Sequence, residues 1–491
     1  MINSTHSIDR NRRRTLQTSA LGFGWLALGS LLSDLKGAGE ELPKQEGTDE
    51  RPLPGQHHQG RHHRATADRV IFLFMDGGPS QVDTFDPKPT LQRLHGKPLP
   101  VSVDPTQFDQ NGTCMASPFI YSKHGESGQE ISELFPKLSK WADDLCIIRS
   151  MKSEFAEHSQ ACMFLHSGFA SQGRPSLGAW LGYGLGKITD ELPSFVVVNG
   201  GLLPIGGPEN FSSAFLPAVH SGTIFDSFSG GELVRNVTPG QSSMVQRAML
   251  EYVNREDRRF QSGLATGSQS SHALETAIKS YETAASMQLS VPSLTAFQDE
   301  TAETLGMYDV DSTDKIVAQY ARECLLARRL VERGVRFVEV TCPKGIRFIA
   351  PWDDHENLEE GHRKNARVVD QPIAALLMDL KRRGLLESTL VVCAGEFGRT
   401  PFAQGGRGRD HNPQGFSIWI AGGGSRGGYC HGATDEFGYR AVQDVMTVHD
   451  LHATMLHMMG IDHERLTYRW GGRDFRLTDV HGQVAQACLK G

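Results

Sequence analysis

Six consecutive apolar residues, Val70 to Met75 (VIFLFM), end abruptly at Asp76-Gly77-Gly78-Pro79. An unbroken apolar run of this length, closed by turn residues, predicts a strand buried on both faces of a parallel sheet. Leu390 to Ala394 repeats the pattern and stops at Gly395-Glu396. Shorter runs at Leu145 to Ile148, Ser194 to Val198, Val335 to Val340 and Phe416 to Ile420 predict further strands. Segments of helical character fall between them: 157–166, one opening at Arg174-Pro175-Ser176, 244–262, 272–288, 313–333, 364–383 and 448–459. Gly334 and Gly384 close two of these as C-caps. Strand, helix and strand in alternation give an α/β fold with a doubly wound, mostly parallel sheet flanked by helices. The polar helical stretch at about 240–333 is expected as an insertion forming an outer layer or lid. Such sheets bind ligands beyond the carboxyl ends of their strands, where Asp76 and Glu396 stand.

The first part of the chain reads differently. Arg12, Arg13 and Arg14 precede a mostly apolar stretch from Thr18 to Leu32, too short for a comfortable membrane span. Residues 1–38 therefore resemble a twin-arginine-type export signal, although Thr15 takes the usual aromatic position and Gln17 that of a common lysine. Residues 39–66 are polar, with Pro, Gly and the pairs His57-His58 and His62-His63, and are expected to be a disordered linker. The folded body is then 67–491, located in the periplasm or outside the cell, with no stable membrane span after signal removal.

Composition narrows the partners. The 491 residues are 38% hydrophobic and 22% charged, enough for one large core, and the net charge of −7 comes with no long basic block in the body. Nucleic acid is therefore not an expected partner. Eight cysteines occur without a C-x-x-C pair, which argues against a zinc knuckle or a disulfide framework. Most read as small buried hydrophobes.

The candidate chemistry gathers at strand ends. Besides Asp76 and Glu396, the strand at 335–340 is followed by Trp352-Asp353-Asp354-His355, and Asp410-His411 closes a stretch that begins after Glu396. That intervening stretch is read as a Gly- and Arg-rich loop whose Arg399, Arg407 and Arg409 can offer guanidinium groups to an anion. His158 and Ser159 would open a helix, where unpaired N–H groups and the macrodipole favour negative charge. Carboxylates with imidazoles suit Zn²⁺, Mn²⁺ or Mg²⁺, and an oxygen-rich half-site admits Ca²⁺. The metal set is expected to be Asp76, His158, Asp353, His355, Glu396, Asp410 and His411. Two ions about 3.5 to 4 Å apart would clamp the attacking and leaving oxygens of a displacement at phosphorus or sulfur. His449 and His452, three residues apart on a helix, are metal-capable, but the Met and Leu around them favour packed histidines.

The segments MDGGPSQVDTFDPKP, HSQACMFLHSG, WDDHENL, GEFGRTP, GRDHNPQGF, AGGG and VHDLHATMLHMMGIDHERLTYRWGGRDFRLTDVHG resemble the bacterial domain-of-unknown-function 1501 family, over nearly the whole chain after about residue 60. That family is similar to the alkaline phosphatase and sulfatase superfamily. The resemblance implies an alkaline-phosphatase-like fold and two metal sites. Under it Asp76 matches the first strand-end Asp, Asp353 and His355 the Asp/His pair, Glu396 a second strand-end Asp, and His411 a later His. Phe397 stands where a His ligand is usual, which leaves a half-site for His158 or Asp410 to fill. There is no C-x-P-S-R or S-x-P-S-R motif, so a formylglycine nucleophile is absent, and Ser159 falls in the nucleophile region.

Three classes of function follow. The first is an exported metal-dependent hydrolase of phosphate or sulfate esters, with a sulfated glycan among its substrates, Ser159 or water as nucleophile, and Arg399 and Arg409 on the anion. The second is an exported metal- or glycan-binding protein without turnover, and the third a structural surface protein. Export is testable directly: replacing Arg12, Arg13 and Arg14 together by Lys should leave precursor in the cytosol in a fractionation assay, because a guanidinium-reading receptor does not accept ammonium groups. Unchanged export of the triple variant contradicts it.

Overall fold

The computed structural model describes residues 60–104, 106, 111–201, 203–227, 233–234, 243–262, 269–343 and 350–491. The signal segment 1–38, the linker as far as residue 59 and the pair His57-His58 lie outside the described residues. Residues 60–66, at the end of the expected linker, run along the body: His62 and His63 N–H both donate to Gly460 O, at 2.8 and 3.2 Å. Among the described residues no helix is long and apolar enough to cross a membrane.

The strands of the central sheet are β1 (Arg69–Phe74), β2 (Leu145–Lys152), β3 (Phe195–Asn199), β4 (Thr223–Asp226), β5 (Phe337–Thr341) and β6 (Thr389–Ala394). A hairpin, β7 (Gly398–Gln404) and β8 (Gly408–Asn412), follows, and β9 (Phe416–Ala421), β10 (Tyr429–His431) and β11 (Met446–Thr447) return to the sheet. The spatial order is β10-β2-β9-β6-β1-β5-β3-β4, with β11 also on β2. The pairs β1–β5, β1–β6, β3–β5, β3–β4, β2–β10 and β2–β11 are parallel. Strand β9 alone runs against its neighbours, β2 and β6. The sheet is thus mostly parallel, as its apolar runs predict.

Those runs are needed because both faces are covered. Along β1, Ile71 and Leu73 face one core cluster and Val70, Phe72 and Phe74 the other. The first face is packed by helices α5 (Lys315–Glu332) and α6 (Leu358–Arg382), the second by α1 (His158–Ser167), α2 (Leu177–Leu185) and α7 (Val448–Met458). In the chain, helices α3 (Ser243–Ser262) and α4 (Gln269–Thr295) come between α2 and α5, and Met287, Val291 and Leu294 of α4 join the first cluster. The expected outer helical layer is corrected at its last helix: α5 buries Val317, Tyr320, Cys324, Leu325, Leu330 and Val331 in the core. Its amphipathic spacing is that of a helix lying on a sheet.

The Gly- and Arg-rich stretch 398–412, expected as a loop, is instead the β7–β8 hairpin. Its register slips between Arg409 and His411, a bulge that re-aims the side chains around it. Arg409 anchors the hairpin. Its guanidinium is fully buried, bonds Asp83 through Nε at 2.7 Å, and donates to Thr400 O at 3.1 Å and Met115 O at 3.0 Å. A buried guanidinium needs this complement of partners, and Asp83, equally buried, supplies the charge. Removing one partner leaves an uncompensated charge in the interior. Arg409→Met is therefore expected to lose about 3–5 kcal/mol in urea denaturation, and Asp83→Leu combined with it to recover part of that loss. A single variant within 1 kcal/mol of wild type, in order of magnitude, contradicts the anchor role.

Candidate functional site

Register places the first two acids. Phe74 pairs with Ala394, so Asp76 and Glu396, two residues beyond each, emerge side by side at the carboxyl edge. Both are fully buried. The turn between β1 and its continuation is tight: Gly77 has φ +109°, and a Cβ there would stand 2.6 Å from Asp353 N. Its N–H donates to Glu396 Oε1 at 3.0 Å. Only glycine lets the 76–79 turn touch both the Trp352–Asp353 backbone and the Glu396 carboxylate.

Three histidines complete the cluster. His158 opens α1, and its Nδ1 lies 2.6 Å from Glu396 Oε1. His411 on β8 directs Nδ1 to Ala156 O at 2.6 Å, and His355 directs Nδ1 to Gln404 Oε1. Each of these partners is an acceptor, so each Nδ1 carries a hydrogen, and in the neutral imidazole each Nε2 offers a lone pair. The three Nε2 atoms converge on Asp353 Oδ1, at 3.4 Å from His158, 2.7 Å from His355 and 3.1 Å from His411. His355 Nε2 and His411 Nε2 are 3.0 Å apart. Lone pairs and a carboxylate oxygen gathered around one point repel one another unless a cation or a proton lies between them. Imidazoles oriented through Nδ1–H and presenting Nε2 beside a carboxylate form a donor set that fits Zn²⁺ or a similar divalent ion.

His158, Asp353 and His411 have ligand atoms all within 4.8 Å of one another, and so do Asp76, Cys162 and Glu396 in a second group. Sequence reading matched Asp353 with His355 and left His158 or Asp410 to fill a half-site; His158, His355 and His411 all come together on Asp353. It missed Cys162, four residues after His158 on the same face of α1, because a cysteine in an apolar run reads as packing. His362 was missed as well. It accepts from Ser80 N at 3.0 Å and donates to Asp354 Oδ2 at 2.9 Å, holding the 352–355 turn from behind. Asp410 enters neither group, its Oδ1 accepting from His411 N at 2.8 Å.

The expected anion grip is smaller in the structure. Arg399 is beside Asp353, with Nη2 2.7 Å from Oδ1, but it also donates to Gly77 O, to Gly78 O and to Arg409 O. Arg409 is turned into the fold onto Asp83, so its N–H groups serve the hairpin and not a ligand. The first turn of α1 is not open either: the Glu157 carboxylate accepts from Ser159 N and Gln160 N, each at 3.0 Å. Ser159 is half-buried beside His158 and belongs to neither ligand group. His449 and His452 lie apart, directing Nε2 to Gly168 O and Leu165 O. The cluster opens on one side only: the Asp353 and His355 side chains are 27% and 20% exposed, those of His158 and His411 8% and 1%.

Charge follows this geometry. Burial pulls His158 down, but the Asp353 and Glu396 carboxylates outweigh it and push the imidazole up to about 9. Burial, with the Arg399 charge, takes His411 down to about 3 against the pull of Asp353. Burial raises Asp353, yet Arg399 and the three imidazoles hold its carboxyl far below the usual range.

Fold and site together define a doubly wound α/β protein with a histidine–carboxylate cluster at the carboxyl edge of its sheet. The chain belongs to the family described as "Protein of unknown function (DUF1501)", matched over residues 67–489. No curated protein matches the sequence. Similar solved structures are of the alkaline phosphatase and sulfatase kind. The lipoteichoic acid synthase LtaP from Listeria monocytogenes is 8% identical, with 86% of this chain and 78% of that one covered and a TM-score of 0.37. The PsFucS1 sulfatase from Pseudoalteromonas sp. is 12% identical, with 81% and 68% covered and a TM-score of 0.34. Alkaline phosphatase from the Antarctic bacterium TAB5 is 9% identical, with 73% and 92% covered and a TM-score of 0.30.

A pH dependence follows for chelator-treated protein. With His158 raised from the ordinary 6.5 to about 9, its contribution to stability is complete below about pH 6.5 and is lost as pH rises through about 9. Unfolding free energy should fall across that window by up to about 1.4 kcal/mol per pH unit from this group. His158→Gln should remove that component from denaturation curves taken at pH 6 and pH 9.5. Equal pH slopes in the two proteins contradict the assignment.

Proposed function

We propose that the protein is an exported, metal-dependent hydrolase of phosphate or sulfate esters, acting at the Asp353–His158–His355–His411 cluster. The observation that supports it most directly is the convergence of three oriented Nε2 atoms on Asp353 Oδ1. Asp353, His158 and His411 would hold a divalent ion, with His355 beside them and Asp76, Cys162 and Glu396 the candidates for a second. When bound, such an ion supplies Lewis-acid polarisation of an ester oxygen.

The rest of the chemistry belongs to the chain. Glu396 orients His158 through Nδ1–H, Gln404 orients His355, and Ala156 O orients His411. The buried Phe397 ring packs at a tilt against His158 and His411, with ring centroids 4.9 and 4.4 Å apart. An anionic ester enters from the Asp353 and His355 side, where Arg399 places fixed positive charge near the negative charge that develops on the ester oxygens. Ser159, one residue from His158, is the candidate nucleophile. Export is supported by Arg12 to Leu32, and a sulfated glycan is one substrate class that suits an extracellular anionic ester.

Elemental analysis together with hydrolysis of aryl phosphates and aryl sulfates tests this on wild type, Asp353→Ala, His411→Ala, Glu396→Gln and Ser159→Ala. Wild type should retain divalent metal and hydrolyse at least one ester class. Asp353→Ala and His411→Ala should lose both, and Glu396→Gln should lower metal affinity roughly ten- to a hundredfold. Ser159→Ala with full metal and no turnover would support the nucleophile. Metal without hydrolysis in wild type would favour the non-catalytic binding protein, and no metal on titration would overturn the site.

A further inference from the structure

Far from the cluster, the chain builds a hairpin whose surface no part of the proposed hydrolysis uses. Strands β12 (Tyr468–Trp470) and β13 (Arg473–Phe475) pair antiparallel around Gly471-Gly472. Both glycines have positive φ, +54° and +83°, as a two-residue hairpin turn requires, and a Cβ on either would meet nothing within 4 Å. Tyr468 pairs with Phe475 and Trp470 with Arg473, so these four side chains share one face, while Arg469 and Asp474 pair on the other at 3.1 Å.

That shared face is an aromatic platform. Phe215 stacks on Tyr468 (5.9 Å, 22°) and on Trp470 (6.2 Å, 16°), and lies 5.0 Å from Phe475. The stack is rooted in the fold through Trp180 against Phe215 and Tyr183 against Tyr468, so its rings are held in place. Its outer member, Trp470, is 53% exposed, whereas Trp141, Trp180, Trp352 and Trp419 are each at most 8% exposed. Guanidinium groups border it. Arg174 Cζ lies 4.3 Å from the Phe475 ring centroid and 4.8 Å from that of Phe169, and Arg473 Cζ 4.9 Å from Phe475. Arg473 pairs with Asp479, but Arg174 forms no ion pair among the described residues.

We propose that this hairpin face is a docking site for an anionic oligosaccharide. An exposed indole presents a flat apolar surface to the C–H face of a sugar ring while the hydroxyl rim stays in water, and the phenyl and tyrosine rings behind it keep the indole fixed. Arg174 and Arg473 add planar donors for a sulfate or carboxylate substituent. Of the arginines around the hairpin, Arg469 is paired with Asp474, Arg473 with Asp479 and Arg476 with Glu464, which leaves Arg174 as the local positive excess against the rings, on a chain of net charge −7. That modest excess suits a polymer with about one charge per sugar. It falls short of the basic groove a nucleic acid strand needs. The platform is also separate from the cluster: Phe169 follows the C-cap of α1, and His158 opens that helix roughly 15 Å away.

The test is a titration of intact protein, metal-loaded and chelator-treated, with dextran sulfate, uncharged dextran and oligo(dT), read by intrinsic tryptophan fluorescence. Dextran sulfate should bind with a fluorescence change from Trp470, equally in both metal states, and uncharged dextran at least tenfold more weakly. Trp470→Ala should weaken dextran sulfate at least tenfold, Trp470→Phe should restore most of the binding, and Arg174→Gln should weaken the sulfated polymer without affecting the uncharged one. Near-UV circular dichroism of each variant checks that the fold is kept. Binding by Trp470→Ala within twofold of wild type overturns the proposal, as does equal affinity for uncharged dextran. Tighter binding of oligo(dT) overturns it in favour of nucleic acid. Loss of binding with chelator moves the ligand to the metal cluster, and self-association in sedimentation that Trp470→Ala abolishes, without dextran sulfate binding, makes the face a contact between copies. The metal and turnover readings of the hydrolase are unaffected by any of these outcomes.

Discussion

Asp353 Oδ1 lies within 3.4 Å of four nitrogens: His355 Nε2 of its own turn, His158 Nε2 of α1, and Arg399 Nη2 and His411 Nε2 of the β7–β8 hairpin. A carboxylate oxygen cannot accept from four donors at once, and the three imidazoles already spend their N–H groups on Glu396, Gln404 and Ala156 O. The cluster therefore requires more positive charge than Arg399 supplies. In the metal-free protein a proton on His158 meets part of that requirement, which is why that imidazole is raised while the more deeply enclosed His411 is lowered. A divalent cation would meet it fully. The same requirement explains why the surroundings are so completely bonded: a loose Arg399 or a rotated Glu396 would leave like charges facing one another in a medium of low dielectric.

Backbone packing makes that concentration of charge sterically feasible. Gly77 touches the 352–353 backbone, Gly78 touches Phe397, and Gly395 has Pro79 at 2.7 Å from where a Cβ would lie. Three glycines thus let the ends of β1 and β6 and the 352–355 turn meet with no side chain between them. Behind this contact, Asp354, His362, Ser80, Asp83 and Arg409 are all fully buried and carry the load of the hairpin that delivers His411 and Arg399. The site and its support are a single polar network inside an otherwise apolar sheet edge, and each member is retained only because its neighbours satisfy it.

The legible part of this in the sequence was the part written in apolar runs. VIFLFM and LVVCA, short and closed by turn residues, read as strands covered on both faces, and their pairing in the register Phe74 to Ala394 sets Asp76 and Glu396 side by side. What stayed hidden depends on long-range partners. The stretch 398–412 carries glycine and arginine, which signal a loop locally; its strand character comes from the buried Asp83–Arg409 pair and from the Thr113–Ala403 and Cys114–Phe402 contacts. Arg409 read as an anion grip because a sequence does not show that Asp83 is waiting for it. Cys162 read as packing because its partners, Asp76 and Glu396, arrive from strand ends 86 and 234 residues away in the chain. Glu157 left no signal of its own, since an acid before a helix is both a common cap and a common exposed side chain.

Helix α1 ties these observations to one physical constraint, its register. His158, Cys162 and His166 recur at i, i+4 and i+8, and so share a face. His158 reaches Glu396, Cys162 joins Asp76 and Glu396, and His166 Nε2 bonds the buried Glu339 Oε1 of β5 at 2.9 Å. A slip of one residue would turn that face by about 100° and withdraw all three side chains together. Both ends are fixed against it. Glu157 caps the N-terminus, and Gly168, at φ +69°, closes the C-terminus against Leu477 O, where an added Cβ would come to 2.7 Å. The residues just beyond that C-cap, Phe169 and Arg174, belong to the aromatic hairpin face. One ten-residue helix therefore sets the geometry of the histidine–carboxylate cluster at one end and the position of the exposed platform at the other. A change at Gly168 acts on both through the same rigid element, which makes that glycine, remote from every candidate ligand, a determinant of the site's geometry.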